Sequence, residues 1–457
     1  MPPKPPASQP FPWSNLGFVV VVLLTLTLAD QRVRFTAEHT ANVFFWDQWD
    51  LYNPLFDGGG WWQIFSYQHG PHRQGVGFLF TAALAHFTHW DARGDALLVV
   101  GVTVLAALLA LPLARKCGAR PGLTLVTVPV IFLTLRQFES WISAANPSHG
   151  AFPILLTVLY GLACFIPRAS WRLPVLVVLT LFLVFTGFGL FAGAISPVLL
   201  ALETWHAWRA GDRRHAWRAG IACLLSVAVW LLFFHGYKNQ PAAAGFHFPH
   251  ERPWEYAWFS GLMLASYAGW SGHLALDVAA GLGLFLVLGA VAAVHGWRVL
   301  RAGPAAAPAS TAIFLLSAAT VLYCLNTAVG RVSLGWHEAP YAPRYVTLVV
   351  PGIFALFLHG ETLGHRWWRH GWWLAVLVLA ASSGLWLRPD DRNAVDWYAK
   401  NREKWRESYL ATGSQPKADA ATSGDQGYTI YPGELTHKLE HLRRHRLNLF
   451  KPDPSNP

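Results

Sequence analysis

Stretches of mainly apolar residues, each close to the length that crosses a bilayer, alternate along this 457-residue chain with short loops rich in arginine. A helix needs about 20 such residues to cross roughly 30 Å of hydrocarbon. Inside that layer every backbone N–H and C=O must be satisfied within the protein, and runs of this length satisfy them as helices. The sequence therefore predicts an all-α, polytopic transmembrane helix bundle of about 11 spans. The first has its core at Leu16 to Ala29; the others fall at 95–115, 121–138, 150–167, 172–188, 189–205, 216–236, 276–297, 309–329, 344–360 and 371–387. Phe11 to Trp13 extend the first toward the interface, behind a Pro-rich leader with Lys4. Thr27-Leu28-Ala29 also resembles a signal-peptide cleavage site, and retention as a span is the reading adopted. The segments at 172–205 are short, and the turn Gly187-Phe188-Gly189 between them dips toward the bilayer in this reading.

Charge then orients the bundle. A net charge of +10 would suit a nucleic-acid partner, but with only 13% charged residues and 53% hydrophobic ones the chain has too little polar surface for a soluble globule. The cations collect at Arg115, Lys116 and Arg120, at Arg168 and Arg172, at Arg209, Arg213, Arg214 and Arg218, at Arg298 and Arg301, and at Arg366 and Arg369. These are alternate loops, cytoplasmic by the positive-inside rule, and anionic lipid accounts for the rest, so no nucleic acid is expected. The amino terminus then lies inside. Residues 1–387 form the membrane part, with an outer loop at 30–94, and residues 388–457 form an extracytoplasmic tail whose helix near Glu434 to Arg446 suggests a small ordered cap. Cys164, Cys223 and Cys324 sit in spans and Cys117 in a basic loop, without disulfide or metal-type spacing.

The outer face holds the candidate chemistry. The stretch WDQWDLYNPLFDGGGWWQIFSYQHGPHR at 46–73 is too polar and turn-rich to enter a bilayer. Asp47 and Asp50 lie between and beside Trp46 and Trp49. Paired carboxylates near a low-dielectric surface can have a raised pKa, which suits a general base, and their oxygens suit Mg²⁺ or Mn²⁺; the alternative is a solvated acidic loop. Trp46, Trp49, Trp61 and Trp62 can stack on a sugar ring or serve as an interfacial belt. His69 and His72 flank Pro71, which prevents a regular helical face for a metal pair. Gln74 to His89 reads as an interfacial amphipathic helix, and Trp254 to Trp270 as a second amphipathic helix on the same side.

Two further outer positions bear on a substrate. Glu139, in RQFESW at the end of the third span, opposes the helix dipole there, a cost that a substrate hydroxyl, a metal or Arg136 offsets. Arg331 and Arg344-Tyr345 bracket a later outer loop that also carries His337 and Glu338. Guanidinium groups at headgroup depth can grip a phosphate through paired hydrogen bonds, or simply snorkel to lipid.

The order of these features resembles the opening of GT-C-type glycosyltransferases: one span, an acidic outer loop, a Pro-bearing turn at GPHRQ, an interfacial helix and a second span. The chain is most similar to a largely uncharacterised bacterial set of polytopic proteins. That set's pattern is met here by WDQWD, by Pro71-His72-Arg73, by Phe138-Glu139-Ser140-Trp141 and by Arg344-Tyr345, with Leu442-Arg443-Arg444-His445-Arg446-Leu447 and Phe450 at the end. Gly70-Pro71 departs from it, since acidic or amide residues are more usual at that turn.

The resemblance implies a glycosyltransferase of the bacterial inner (plasma) membrane. It would move a sugar from a polyprenyl-phosphate donor to an envelope glycan, lipid or protein on the outer face, without a nucleotide sugar. Asp47 would be the base; Asp50 and Glu139 would orient acceptor or a divalent cation; Arg344 and Arg73 would hold the lipid phosphate. His72, Arg331, His337, Tyr345, Trp46 and Trp49 complete the expected substrate-binding set, and Asp47 with Asp50 the expected metal position. A transporter or flippase is the first alternative, and its mark would be ionisable residues at mid-span or broken helices. An envelope polysaccharide ligase or polymerase is the second, expected to place its chemistry on one large late outer loop.

Overall fold

The computed structural model describes residues 13–239, 245–269, 271–385, 387–423 and 428–452. The leader with Lys4, and Trp270, lie outside them. Among the described residues the only strands are the two-residue pair Gln68–His69 and His72–Arg73; nearly everything else with regular structure is helical.

Seven of the helical segments are long and apolar enough to cross a membrane: Ala92–Lys116, Leu123–Ile142, Gly187–Arg209, Arg213–Phe234, Leu274–Ala302, Pro308–Leu334 and Pro343–Glu361. Ala151–Ala163 and Ala169–Phe185 form where two more spans are expected. At 1.5 Å per residue they reach only about 20 and 25 Å. Trp13–His39 and Arg366–Gly384 occupy the positions of the first and last expected spans.

Local chemistry sets several ends. The Asp91 carboxylate accepts from the Arg93 N–H to open the helix Ala92–Lys116, and Asp212 accepts from the His215 N–H to open Arg213–Phe234, both as side-chain N-caps. The third expected span is not one continuous helix. Thr127–Phe132 stops at Leu133, whose carbonyl is taken by the buried Arg32 Nε at 2.8 Å, and Gln137 Nε2 donates to Phe132 O at 2.7 Å. Side chains thus take over carbonyls that the helix leaves open, and the chain restarts as Phe138–Ile142.

A second expectation is overturned at Trp254–Ala268. Instead of one buried and one exposed face, this helix buries every residue from Phe259 to Met263, with Leu264, Ala265, Ser266 and Tyr267. Nine consecutive residues cover every side of a helix, so through this stretch it is enclosed by the bundle all round. The turn Gly187–Gly189 is likewise buried, beneath Ser148 and His149.

Three hydrophobic clusters organise the described residues, the smallest of them Phe65, Val184, Phe185, Val229 and Phe233. One runs through the helices from Val21 to Val395. Another joins the early loop (Phe44, Phe45, Trp49, Tyr52) to the end of the chain (Trp405, Tyr428, Leu439, Leu442). The expected C-terminal cap exists as Pro389–Thr412, Gln415–Ser423 and Thr436–His445. Arg402, 1% exposed, fastens it: its guanidinium donates to the carbonyls of Ile142 and Ser143, and to those of Ala41 at 3.1 Å and Val43 at 2.8 Å. A buried guanidinium is tolerated there because four carbonyls accept from its two Nη groups, although Nε is left without a partner.

Candidate active site

Asp47 opens the short helix Asp47–Leu51, and its side chain stays half exposed. Its nearest basic partner is His69, Nε2 to Oδ2 at 3.7 Å, an ion-pair separation rather than a hydrogen-bond length. His69 first, with the charges of His149 and Arg344 adding, holds the Asp47 carboxyl below the usual carboxylate range against a desolvation that pulls it upward. This reverses the expected raised pKa: the group beside Asp47 is an imidazole, not Asp50.

Asp50 faces the cap instead. Its Oδ1 accepts from Tyr431 Oη at 2.9 Å and from Lys438 Nζ at 3.1 Å, and its carbonyl accepts from Tyr67 Oη at 2.9 Å. The two carboxylates therefore serve different partners. Among the described residues no three His, Cys, Asp or Glu side chains are grouped to hold a metal ion.

Glu139 is nearly buried, and both its oxygens go to Arg344: Oε1 takes Nη1 at 2.6 Å and Oε2 takes the backbone N–H at 3.0 Å. The expected local partner, Arg136, pairs instead with Asp391 and donates to Ser266 O at 3.2 Å. Arg344 keeps most of its side chain exposed, with its guanidinium carbon 5.3 Å from the Tyr345 ring centre. One side of the guanidinium is thus fixed and the rest remains open to a ligand.

Arg73 leaves the expected phosphate-binding set. Its guanidinium donates to Phe233 O at 2.8 and 2.9 Å, to His235 O at 2.7 Å and to Ser66 O, between the rings of Phe185 and Phe233. It is a strut between the early hairpin and the helix ending at Phe234. Trp49 leaves the sugar-stacking set for a similar reason: it is fully buried, edge-on to Phe44 at 5.3 Å. Trp46, Trp61 and Trp62 are exposed. Arg331 is exposed and His337 half exposed, the latter 3.6 Å from Glu338.

His72 is buried, with neither ring nitrogen hydrogen-bonded. Its ring meets that of His149 edge-on at 4.7 Å and that of Phe188 at 4.7 Å. Burial first, then His149, His69 and Arg331, push the His72 imidazole well below its usual value. Burial, then His69, push His149 down to about 4, with Arg344 adding to the shift and Asp47 opposing it. Both rings are therefore neutral at pH 7, each with one N–H donor.

His149 is the residue that sequence reasoning missed. It sits on the turn NPSHG, which is held from several sides. Asn146 Nδ2 donates to Gln74 Oε1 at 3.1 Å, the Ser148 N–H donates to Asn146 Oδ1 at 2.9 Å, and Ser148 Oγ donates to Gln74 O. Gly187, at φ +51°, and Gly77 allow this approach: a Cβ on the first would lie 1.8 Å from Ser148 O, and on the second 2.3 Å from Ser148 Oγ. The available signal was a polar Asn-Pro-Ser-His-Gly turn between two apolar runs.

Behind the imidazoles lies a narrow apolar slot, lined by Thr157, Phe188, Phe191, Tyr323, Leu348 and Pro351. Phe188 belongs to both, touching His72 and His149 on one side and Tyr323, at 5.4 Å, on the other. The site thus runs from a half-exposed carboxylate, through neutral imidazoles flanked by Arg331 and Arg344, into an apolar slot.

No family model matches the chain, and neither a curated protein nor a solved structure matches it. What stands is an all-α protein with seven candidate membrane spans and a polar, histidine-lined site beside an apolar slot.

Proposed function

We propose that this protein is a membrane glycosyltransferase that uses a polyprenyl-phosphate-linked sugar and glycosylates an envelope acceptor on the outer face. The observation that carries the reading is the gathering of Asp47, His69, His72, His149 and Arg344 into one electrostatically coupled cluster, beside an apolar cavity of about 20 Å³ at Phe188 that has to widen to take a lipid chain. A lipid-linked sugar phosphate has that same order: an apolar chain, a phosphate, then a sugar. With the chain toward the slot, the phosphate meets Arg344, Arg331 and the N–H groups of His72 and His149, and the anomeric carbon faces Asp47.

In this mechanism the acceptor hydroxyl oxygen bonds to the anomeric carbon while the bond from that carbon to the phosphate oxygen breaks. The hydroxyl proton passes to Asp47, and the bonding pair leaves on the lipid phosphate, beside the guanidinium groups. A carboxylate held below its usual range is a weak base, but a transition state of oxocarbenium character makes the hydroxyl acidic by the time its proton moves. Glu139 acts by aiming Arg344. Asp50 acts through the cap that shapes the loop.

The membrane topology proposed is eleven spans. The early loop and the C-terminal cap share one hydrophobic cluster, so an even number of crossings must separate them. The seven candidate spans all lie between the two and are odd in number. Counting Ala151–Ala163, Ala169–Phe185 and Arg366–Gly384 makes ten, and Trp13–His39 makes eleven. The basic loops then fall on one side and the site on the other.

A lipid transporter is the second reading, favoured by the interruption at Leu133 and the buried Arg32 that caps it. The deciding experiment supplies purified protein with a polyprenyl-phosphate-linked sugar and measures release of polyprenyl phosphate together with a glycosylated acceptor. Movement of the lipid between leaflets with no release would replace the transferase by the transporter.

A further inference from the structure

We propose that the end of the C-terminal cap is a docking surface for anionic phospholipid headgroups, in the leaflet that the amino end of the helix Ala92–Lys116 enters. This goes beyond glycosyl transfer and uses none of the residues of the proposed active site.

Placement is the first observation. The Asn448 N–H donates to His89 O at 2.8 Å, Asn448 Nδ2 donates to Trp90 O at 2.7 Å, and Asn42 Nδ2 donates to Asn448 O at 2.7 Å. Lys451 Nζ lies 3.6 Å from Asp91, the residue that caps the candidate span. The run Arg443-Arg444-His445-Arg446 is thereby tied to the level where that span begins. The interfacial position is marked by the neighbouring helix Gly75–Thr88, which leaves Phe80 half exposed and Phe87 79% exposed. Large apolar side chains so exposed at the mouth of a span have hydrocarbon as their natural neighbour.

Charge is the second observation. Arg443, Arg444, His445 and Arg446 are all exposed. Among the described residues no carboxylate lies within ion-pairing distance of the three arginines; Arg443 only lies over the rings of Phe450 and Tyr409. Asp91 offsets Arg93 and Lys451 in part, and the exposed Glu440 is the one acid on the helix Thr436–His445. A cationic excess remains, facing the plane where phosphates of the lipid lie. The helix dipole alone accounts for cations in the last turn, but not for Arg446, which lies beyond it.

Backbone conformation is the third. Four of the five non-glycine residues with positive φ among the described residues meet at this junction: His89 at 55°, Trp90 at 59°, Arg446 at 54° and Asn448 at 50°. Such conformations persist where the surroundings over-determine them and are typical of ligand clamps. Here they aim the chain so that Arg446 stays outside while Asn448 turns in.

The headgroups of anionic lipids fit these features: phosphates for the guanidinium groups, beside acyl chains for Phe87. Each cation close to such a surface adds about fivefold in affinity, and salt screens it. Leu435, Leu439 and Leu442 hold the other face of the helix in the protein, so the contact can form without the cap leaving its place.

The test follows amide hydrogen exchange of residues 436–451 in the full-length protein. It compares nanodiscs of phosphatidylcholine alone with nanodiscs containing about 30% phosphatidylglycerol, a fraction chosen to set a negative surface potential. Exchange should slow several-fold with the anionic lipid. The slowing should vanish in about 0.5 M NaCl, and in the variant Arg443→Gln, Arg444→Gln, Arg446→Asn, where Asn keeps the left-handed position. Should that variant misfold, the salt arm on the wild type decides. Equal exchange in both discs, slowing that survives salt, or equal slowing by soluble glycerol phosphate in neutral discs would each overturn the proposal.

Discussion

Both oxygens of Glu139 are used by Arg344, one by the guanidinium and the other by the backbone N–H. The pair spans 205 residues of sequence and fixes the guanidinium where its charge acts on Asp47 and His149. Arg344→Ala should weaken binding of a polyprenyl-phosphate donor by at least tenfold, since the loss of one partner of a desolvated charge pair costs roughly 2–5 kcal/mol. Glu139→Gln should weaken it less, because the amide still accepts from the N–H. Titration of donor into both folded variants tests the order; equal effects would make Glu139 part of the binding surface itself.

Asp47→Asn should lower turnover by roughly 10²–10⁴ while donor binding survives. Asp50→Asn should act differently, by loosening Lys438 and Tyr431 and so lowering thermal stability more than turnover. Chelator sensitivity, with activity restored by Mn²⁺, would instead place both carboxylates on a divalent cation. A folded Asp47→Asn, Asp50→Asn protein that transfers sugar at near the wild-type rate would remove this loop from the chemistry.

The pH profile carries a sign that follows from His69. Because His69 favours the ionised Asp47, removing it by His69→Gln should raise the pKa of that carboxyl. The acid limb of kcat/KM should then move to higher pH, toward the ordinary carboxylate value of about 3.9. His72 and His149, kept neutral by burial, should add no limb between pH 6 and 7. A limb in that window that disappears in His149→Gln would contradict the neutral imidazole.

His149→Phe keeps the ring volume while removing the N–H, so it should raise the donor KM by roughly tenfold or more, the value of a hydrogen bond to a charged group, with a smaller change in kcat. His149→Gln should recover part of the loss. A change in kcat alone would move His149 from phosphate recognition to the reacting centre.

The orientation can be read with single cysteines in a background lacking Cys117, Cys164, Cys223 and Cys324. Position 414 should react with an impermeant thiol reagent from outside, and position 210 should not. Labelling of 210 alone would invert the topology.

How much of this was legible beforehand depends on the length scale of each interaction. The helical bundle follows from local hydropathy, and helices form at Gly75–Thr88 and Thr436–His445, where the sequence placed them. Pairings across the fold were not legible. Arg136 was the nearest cation to Glu139 in sequence, yet the restart of the chain after Leu133 turns it toward Asp391. Trp46 and Trp49 look equivalent in WDQWD, and only the cap arriving from far downstream decides that one is exposed and the other is core. His149 stayed hidden because a single histidine in a turn carries no spacing pattern, and its meaning comes from neighbours contributed by Gln74, Gly77 and Gly187.

The tie between Asp50 and Lys438, 388 residues apart, sets an order of events during synthesis. At about 5–20 residues per second, roughly 20–80 s separate the emergence of the acidic loop from that of the helix that holds it. Through that interval Trp49, Phe44 and Phe45 stand without their partners Trp405, Tyr428 and Leu439. The loop is thus the first part of the site to be made and among the last to acquire its shape, and an interrupted chain would leave an aromatic surface waiting at the membrane with nothing to cover it.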